Sequence, residues 1–151
     1  MAAQATSQPP IRFRLLSVGV EQYAIRPLGE SGLPTEVDAS YTFSVTATEH
    51  RITALPRFAF QDAKGQELAV LQPVVQFDII EEDWPQLLRE ENIITLPKYL
   101  LQHLAVIATG FARGVLYEKF SREEGYASIM LPIIPVIQHI QDDLTFTLAE
   151  P

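Results

Sequence analysis

A chain of 151 residues is about the commonest size for one domain, so its length favours a single unit over two independent cores. The formal net charge of -8 creates a negative field that repels phosphate backbones and anionic lipids, so we expect neither nucleic acid nor a membrane among its partners. Cysteine is absent, which excludes disulfides, thiolate nucleophiles and cysteine-ligated metals, fits a reducing compartment and leads us to expect a cytoplasmic protein.

The first ten residues are mostly small and polar, with Ala, Gln, Ser and Pro prominent. They cannot bury much surface and lack the basic start and apolar run of a secretion signal. The sequence therefore predicts a disordered leader over residues 1–10 and a single domain over residues 11–151.

Alternating apolar and polar residues predict two strands after this leader. The first covers residues 11–20 and continues to Ile25, and the second covers residues 37–48. In the second strand, Tyr41 and Phe43 share one face with other apolar residues while serine and threonine occupy the other. This alternation is typical of a strand with one buried face.

Two further strands follow the same pattern. The third covers residues 52–61 with a break at Pro56, and residues 62–65 form a hairpin turn. The fourth covers residues 67–80 and is long enough for a bulge at Pro73, which cannot donate to a strand ladder. Because most connections are short, we expect an antiparallel meander.

A long helix is predicted after the sheet. Thr95 has the character of an N-cap, and Pro97 suits the first turn, where its missing N–H costs nothing. Apolar residues then recur every three or four positions until little polar face remains. Such a helix must be covered on two sides, by the sheet and by a second subunit. The candidate oligomer contacts are Leu100, Leu104, Ile107 and Phe111.

The remaining chain alternates between loop and apolar segments. Pro132 and Pro135 forbid a regular helix over residues 129–140 and favour an extended chain held against the body. Residues 141–151 alternate in hydropathy and predict either a short fifth strand or a loosely packed tail.

The sequence offers little catalytic apparatus. His50, His103 and His139 are far apart and lack metal-site spacing, and no nucleotide-binding or serine-hydrolase motif is present. The acidic residues at 81–83 and 90–91 are better explained as solvated loops than as paired catalytic carboxylates. We therefore predict a protein that is not an enzyme, with no catalytic residue, metal or cofactor.

The sheet carries many aromatic and β-branched residues, for which two interpretations stay open. Phe58, Phe60, Val75 and Phe77 either form the core face beneath the long helix or partly line an apolar groove at the sheet edge. Such a groove would receive extended chain segments by burying their apolar surface. Sequence alone does not apportion these residues between core and groove.

Several short motifs resemble those of SecB-type export chaperones. They are Leu96-Pro97-Lys98-Tyr99 at the start of the helix, Arg113-Gly114 near its end and the segment at residues 129–132. Residues 64–80, a turn followed by a long strand, are similar to the strand that supplies apolar client-binding residues in that family. The order of elements agrees from Ile11 to about Ile137.

The resemblance implies an α+β subunit, in which a four-stranded antiparallel sheet is followed by a long helix packed on one face. It also implies a dimer of dimers that captures unfolded polypeptides without ATP. Pro97, Arg113, Gly114 and Pro132 would be architectural. The candidate client-binding residues are Phe58, Phe60, Val75, Phe77, Ile79, Trp84 and Leu88.

Three functional alternatives remain open. SecB ends in a polar tail that engages the translocase motor SecA through zinc, whereas this chain ends at Pro151 without cysteines, so a toxin–antitoxin partner is an alternative to SecA. A hotdog-like acyl-thioester hydrolase also wraps a sheet round one helix, but there the helix comes early. A third alternative is a structural oligomeric partner protein without clients.

Overall fold

The computed structural model describes residues 10–29 and 32–148, and the predicted leader lies outside this part except for Pro10. Four strands form an antiparallel sheet and a long helix follows them, which confirms the predicted α+β class. The strands are β1 (Phe13–Ile25), β2 (Glu36–Thr46), β3 (Arg51–Gln61) and β4 (Glu67–Ile79).

The strand order is β1-β4-β3-β2, so the predicted meander is correct for β2 to β4 and wrong for β1. Tight turns join β2, β3 and β4; in the second turn Asp62 accepts hydrogen bonds from the backbone of Lys64 and Gln66. The connection from β1 to β2 joins strands at opposite edges of the sheet, and β1 pairs with β4 as in a Greek key.

Two prolines lie opposite each other in the centre of the sheet. The ladder between β3 and β4 is interrupted between the pairs Ala54–Val75 and Phe58–Leu71, a register that sets Pro56 against Pro73. The two strands therefore lack their backbone N–H donors at directly opposite positions. Strand β3 continues through Pro56 instead of breaking, and the bulge predicted at Pro73 is instead in β1, whose register shifts beside Pro73. Strand β4 has its own register shift against β3 nearer its start, at Leu68.

Helix α1 (Lys98–Phe120) begins one residue after Pro97, which occupies the N-cap position. The predicted cap, Thr95, lies instead in a strand, and the Lys98 N–H donates to Asp143 Oδ1 at 2.8 Å. A carboxylate from the distant tail thus supplies the contact expected from a local cap.

A second, smaller antiparallel sheet was not predicted, apart from the strand in the tail. It contains β5 (Leu88–Glu90), β6 (Ile93–Leu96) and β7 (Leu144–Thr147). Residues 129–135 have no regular secondary structure and lead into the single turn of α2 (Val136–His139), so the extended segment predicted over residues 129–140 is interrupted by one helical turn after Pro135.

The core lies between α1 and the central strands β3 and β4. It divides into two clusters near the level of the facing prolines, one around Phe77 and Leu104 and the other around Phe58 and Phe120. Helix α1 is long and apolar enough to cross a membrane by length and composition, but nearly half of that apolar window is buried within the subunit. Packing on the sheet therefore accounts for its composition.

Strand β1 is fixed to the main body by an ion pair at its start. Asp83 is buried and accepts hydrogen bonds from the Arg12 backbone N–H at 2.8 Å and from its guanidinium at 2.9 and 3.1 Å. The hydrogen bonds from Arg12 hold the pKa of Asp83 below its usual value.

A lowered pKa makes this ion pair sensitive to acid. The ionised carboxylate stabilises the fold above the ordinary pKa of aspartate, and this contribution is lost as the pH falls through the lower pKa of the folded state. Asp83→Asn should therefore lower the free energy of unfolding at neutral pH, with a shrinking difference from the wild type in strong acid. Urea titrations across this range test the prediction, and a difference that is constant with pH would contradict it.

Candidate peptide-binding groove

Two shallow cavities, each with polar as well as apolar lining, lie between the helix-facing side of β2 and the segment at residues 129–144, and we call this surface the groove. Its floor is β2, and its far wall is the segment at residues 129–144, which lies beside α1. The groove opens into two cavities, one near each end of β2, of about 190 Å³ and 170 Å³. The first is lined by Pro34, Thr35, Glu36, Val37, Phe60, Ile129, Met130 and Pro132, and the second by Tyr41, Phe43, His139, Ile140, Gln141, Asp142 and Leu144.

Side chains of α1 hold the far wall in place. Arg113 donates to the Pro132 carbonyl at 3.1 Å, and Gln102 donates to the Ile140 carbonyl at 2.7 Å. Extended backbone has unpaired carbonyls, so these two bonds satisfy groups that a helix or sheet would otherwise pair. The wall is thus attached to the helix near both of its ends.

Tyr41 links the floor of the groove to α1. Its hydroxyl lies 2.7 Å from Thr109 Oγ1, and since the Thr109 hydroxyl donates to the Ala105 carbonyl, Tyr41 is the donor. Burial raises the pKa of Tyr41. The Tyr41 ring also makes edge contacts with Phe58 and His139, which fixes one side of the second cavity.

Exposed apolar side chains surround the groove. Met130 is 65% exposed where it lines the first cavity, and Leu144 is 37% exposed in the second. Ile133 and Ile137 are more exposed still and lie on the same segment. Several exposed apolar side chains on one segment make it a candidate binding surface.

Most of the predicted client-binding residues lie inside the subunit. Six of the seven are buried, and Leu88 alone is exposed, at 38%. Trp84 stacks on the His50 ring at 4.8 Å, away from the groove. Only Phe60 lines one of the two groove cavities. A client role for these residues stays a prediction, and in this structure Phe58, Phe60, Val75, Phe77, Ile79 and Trp84 belong to the core.

The predicted oligomer contacts divide in the same way. Leu100 and Leu104 are buried in the core, whereas Ile107 and Phe111 are partly exposed. By helical periodicity, Ile107, Phe111 and Val115 lie on the opposite flank of α1 from Thr109 and the groove. That flank faces the side of β1.

Strand β1 adds further apolar surface beside this flank. Leu15, Val18 and Val20 pair with helix-side residues of β4, yet they are 52%, 44% and 42% exposed. Side chains opposite one another in a ladder share a face, so all three point to the side on which α1 lies. We call the surface formed by these residues with Ile107, Phe111 and Val115 the β1 face.

The predicted architectural residues have distinct environments. Pro97 caps α1, Arg113 donates to the far wall, and the Pro132 carbonyl is one of its acceptors. Gly114 faces outward, and a Cβ added there would meet no atom within 4 Å. Packing within one subunit therefore does not require glycine at position 114.

Comparisons with known proteins support the fold. No family model matches the chain, and no curated protein sequence matches it. A solved structure of the SecB-like chaperone Rv1957 from Mycobacterium tuberculosis, in complex with a ChAD peptide from the Rv1956 HigA1 antitoxin, matches with a TM-score of 0.51. The match covers 82% of this chain and 91% of that one at 14% sequence identity. The chain therefore has a SecB-like fold, as its motifs predicted.

The groove should bind a fluorescent apolar dye in the native state. Replacing two exposed wall residues, Met130→Gln with Leu144→Gln, should lower the dye signal by about half because apolar surface is lost. The matched control is Val106→Gln with Tyr117→Gln, which changes two exposed residues on the outward side of α1. Each substitution should alter the free energy of unfolding by less than about 0.5 kcal/mol. Equal dye loss in both variants would contradict a specific groove.

Proposed function

We propose that this protein is a holdase chaperone, which binds unfolded segments of other polypeptides without ATP and is not an enzyme. The observation that carries the proposal is the preformed groove beside β2, with the exposed apolar side chains of Met130 and Leu144 in its lining. Unfolded chains expose apolar side chains that folded proteins hide, and burying them gains about 25 cal/mol per Å². The SecB-like fold supports the same conclusion.

The proposal also includes a class of client polypeptide. The structurally similar Rv1957 was solved with an antitoxin peptide, which supports an antitoxin segment as one client of this protein. Nascent chains destined for export, delivered to SecA, are the alternative client route. We propose a cytoplasmic location because both routes begin there, and neither nucleic acid nor a membrane surface as a partner because of the charge of -8.

Neither alternative function gains support from the described residues. Among the acidic residues at 81–83, Asp83 is engaged by Arg12, and its lowered pKa suits a fixed ion pair better than a general acid. A hotdog-like hydrolase is therefore not favoured. If this protein were a structural oligomeric partner without clients, it would not need an open groove of this kind.

Client binding is tested by an aggregation assay. The protein should delay aggregation of a chemically denatured model protein to the same extent with and without added ATP. Met130→Gln with Leu144→Gln should weaken client binding about tenfold, which corresponds to ~1.4 kcal/mol. Val106→Gln with Tyr117→Gln should leave client binding unchanged. A wild type that neither binds the denatured protein nor delays its aggregation would refute the proposal.

We further propose that the subunits assemble into a dimer of dimers in which the β1 face forms one of the two kinds of interface. An isolated subunit leaves the six apolar side chains of this face partly exposed to water, and contact with another copy would bury them.

Light scattering coupled to size exclusion tests this assembly. Val18→Lys inserts a charge into the β1 face and should lower the measured mass. The control, Thr42→Lys, changes an exposed residue of β2 and should leave the mass unchanged. A wild type with the mass of one subunit would refute the assembly.

A further inference from the structure

Sulfur occurs at two positions of this chain, Met1 and Met130, and no cysteine is present. Of these two residues, Met130 lies in the part of the chain that the structure describes. Its side chain is 65% exposed and lines the first cavity of the groove. Exposed sulfur is a common target of oxidants in proteins. Because no thiol competes for an oxidant, Met130 is the readily oxidised group at the groove.

The backbone on either side of Met130 is held in place independently of its side chain. Arg113 donates to the Pro132 carbonyl at 3.1 Å. The side chain of Leu131 points inward and is 4% exposed in the core cluster around Phe58. A polar atom added to the outward-pointing side chain of Met130 therefore changes the surface of the groove without removing a core contact.

Oxidation changes what Met130 offers to a client. The thioether is flexible and apolar, whereas the sulfoxide is polar and keeps water bound to its oxygen. Among the apolar residues that share the first cavity, Phe60 is buried, and Val37 and Ile129 are half-buried. Met130 is more exposed than these three, so its oxidation removes apolar surface that a client can reach.

We propose that Met130 is an oxidation site through which peroxides weaken client binding by the groove. The sulfur lone pair attacks one oxygen of hydrogen peroxide, an S–O bond forms and the O–O bond breaks. The proton of the transferred hydroxyl joins the departing hydroxide to give water, so that sulfur is oxidised by two electrons and peroxide is reduced. A methionine sulfoxide reductase with a thiol as reductant reverses the change. This inference rests on the proposed holdase function and adds its regulation.

The test compares each protein with its own untreated sample, so that any effect of a substitution itself cancels. Protein is treated with hydrogen peroxide, catalase removes the excess, and mass spectrometry of peptides locates the added oxygen. Binding of a fluorescent, chemically denatured model protein is then titrated. Oxidation of the wild type should weaken this binding about threefold, one residue's share of the tenfold loss expected for two wall substitutions. Methionine sulfoxide reductases with a thiol should restore it.

Two variants separate Met130 from the rest of the chain. Met130→Leu removes the thioether and keeps an apolar side chain, so peroxide should not change its client binding. Met130→Leu with Val106→Met moves the thioether to the outward side of α1, where Val106 is 55% exposed. This second variant should take up oxygen at position 106 without a change in client binding. Met1 is common to all three proteins, so its oxidation affects them equally.

Three results would overturn the oxidation site. They are unchanged client binding after Met130 has been fully oxidised, an equal loss in Met130→Leu, and an equal loss in the variant that also carries Val106→Met. If one of these occurs while the untreated wild type delays aggregation, the holdase proposal stands and only this inference fails. If the untreated wild type holds no denatured client, the holdase proposal fails and this inference fails with it.

Discussion

One helix has to cover a sheet that is wider than itself. An α-helix with its side chains is about 10–12 Å across, whereas four strands at about 4.8 Å spacing present a face roughly 19 Å wide. Helix α1 packs on the central strands β3 and β4, so the helix-facing sides of β1 and β2 extend beyond it. Because those sides carry the same apolar alternation as the centre, uncovered apolar surface follows directly from the architecture.

The two flanks of α1 differ in what covers them. On the β2 flank, residues 129–144 form a partial second cover, which Arg113 and Gln102 attach to the helix, and the uncovered remainder is the groove. On the β1 flank nothing among the described residues covers Leu15, Val18 and Val20. A partly covered strip with cavities suits side chains from an extended peptide, whereas a bare strip suits a large, flat partner such as another copy.

Sequence patterns located the strands well because alternation is a local property. Strand order is not local: the pairing of β1 with β4 depends on a long connection whose path no residue pattern determines. The N-cap was missed for the same reason, since Asp143 lies just before β7, 45 residues away from Lys98. The sequence suggested a groove at the sheet edge but did not identify the residues that line it, because alternation marks an apolar face of a strand without showing how far the covering helix extends. Phe60 shows the difficulty, since it is both a core residue and part of a cavity wall.

The attachment of the groove to α1 also bears on how the proposed chaperone would bind a client. Tyr41 fixes the floor to Thr109, and Arg113 fixes the far wall to the same helix, so both sides of the groove are positioned before any ligand arrives. Because the walls are already in place, fewer side chains have to be ordered when a ligand binds, and the entropy cost of binding is smaller. The opposite flank of that helix belongs to the β1 face, so assembly there would further restrain α1 and, with it, both walls of the groove. Association of subunits and capture of clients would then be favoured by the same rigid element.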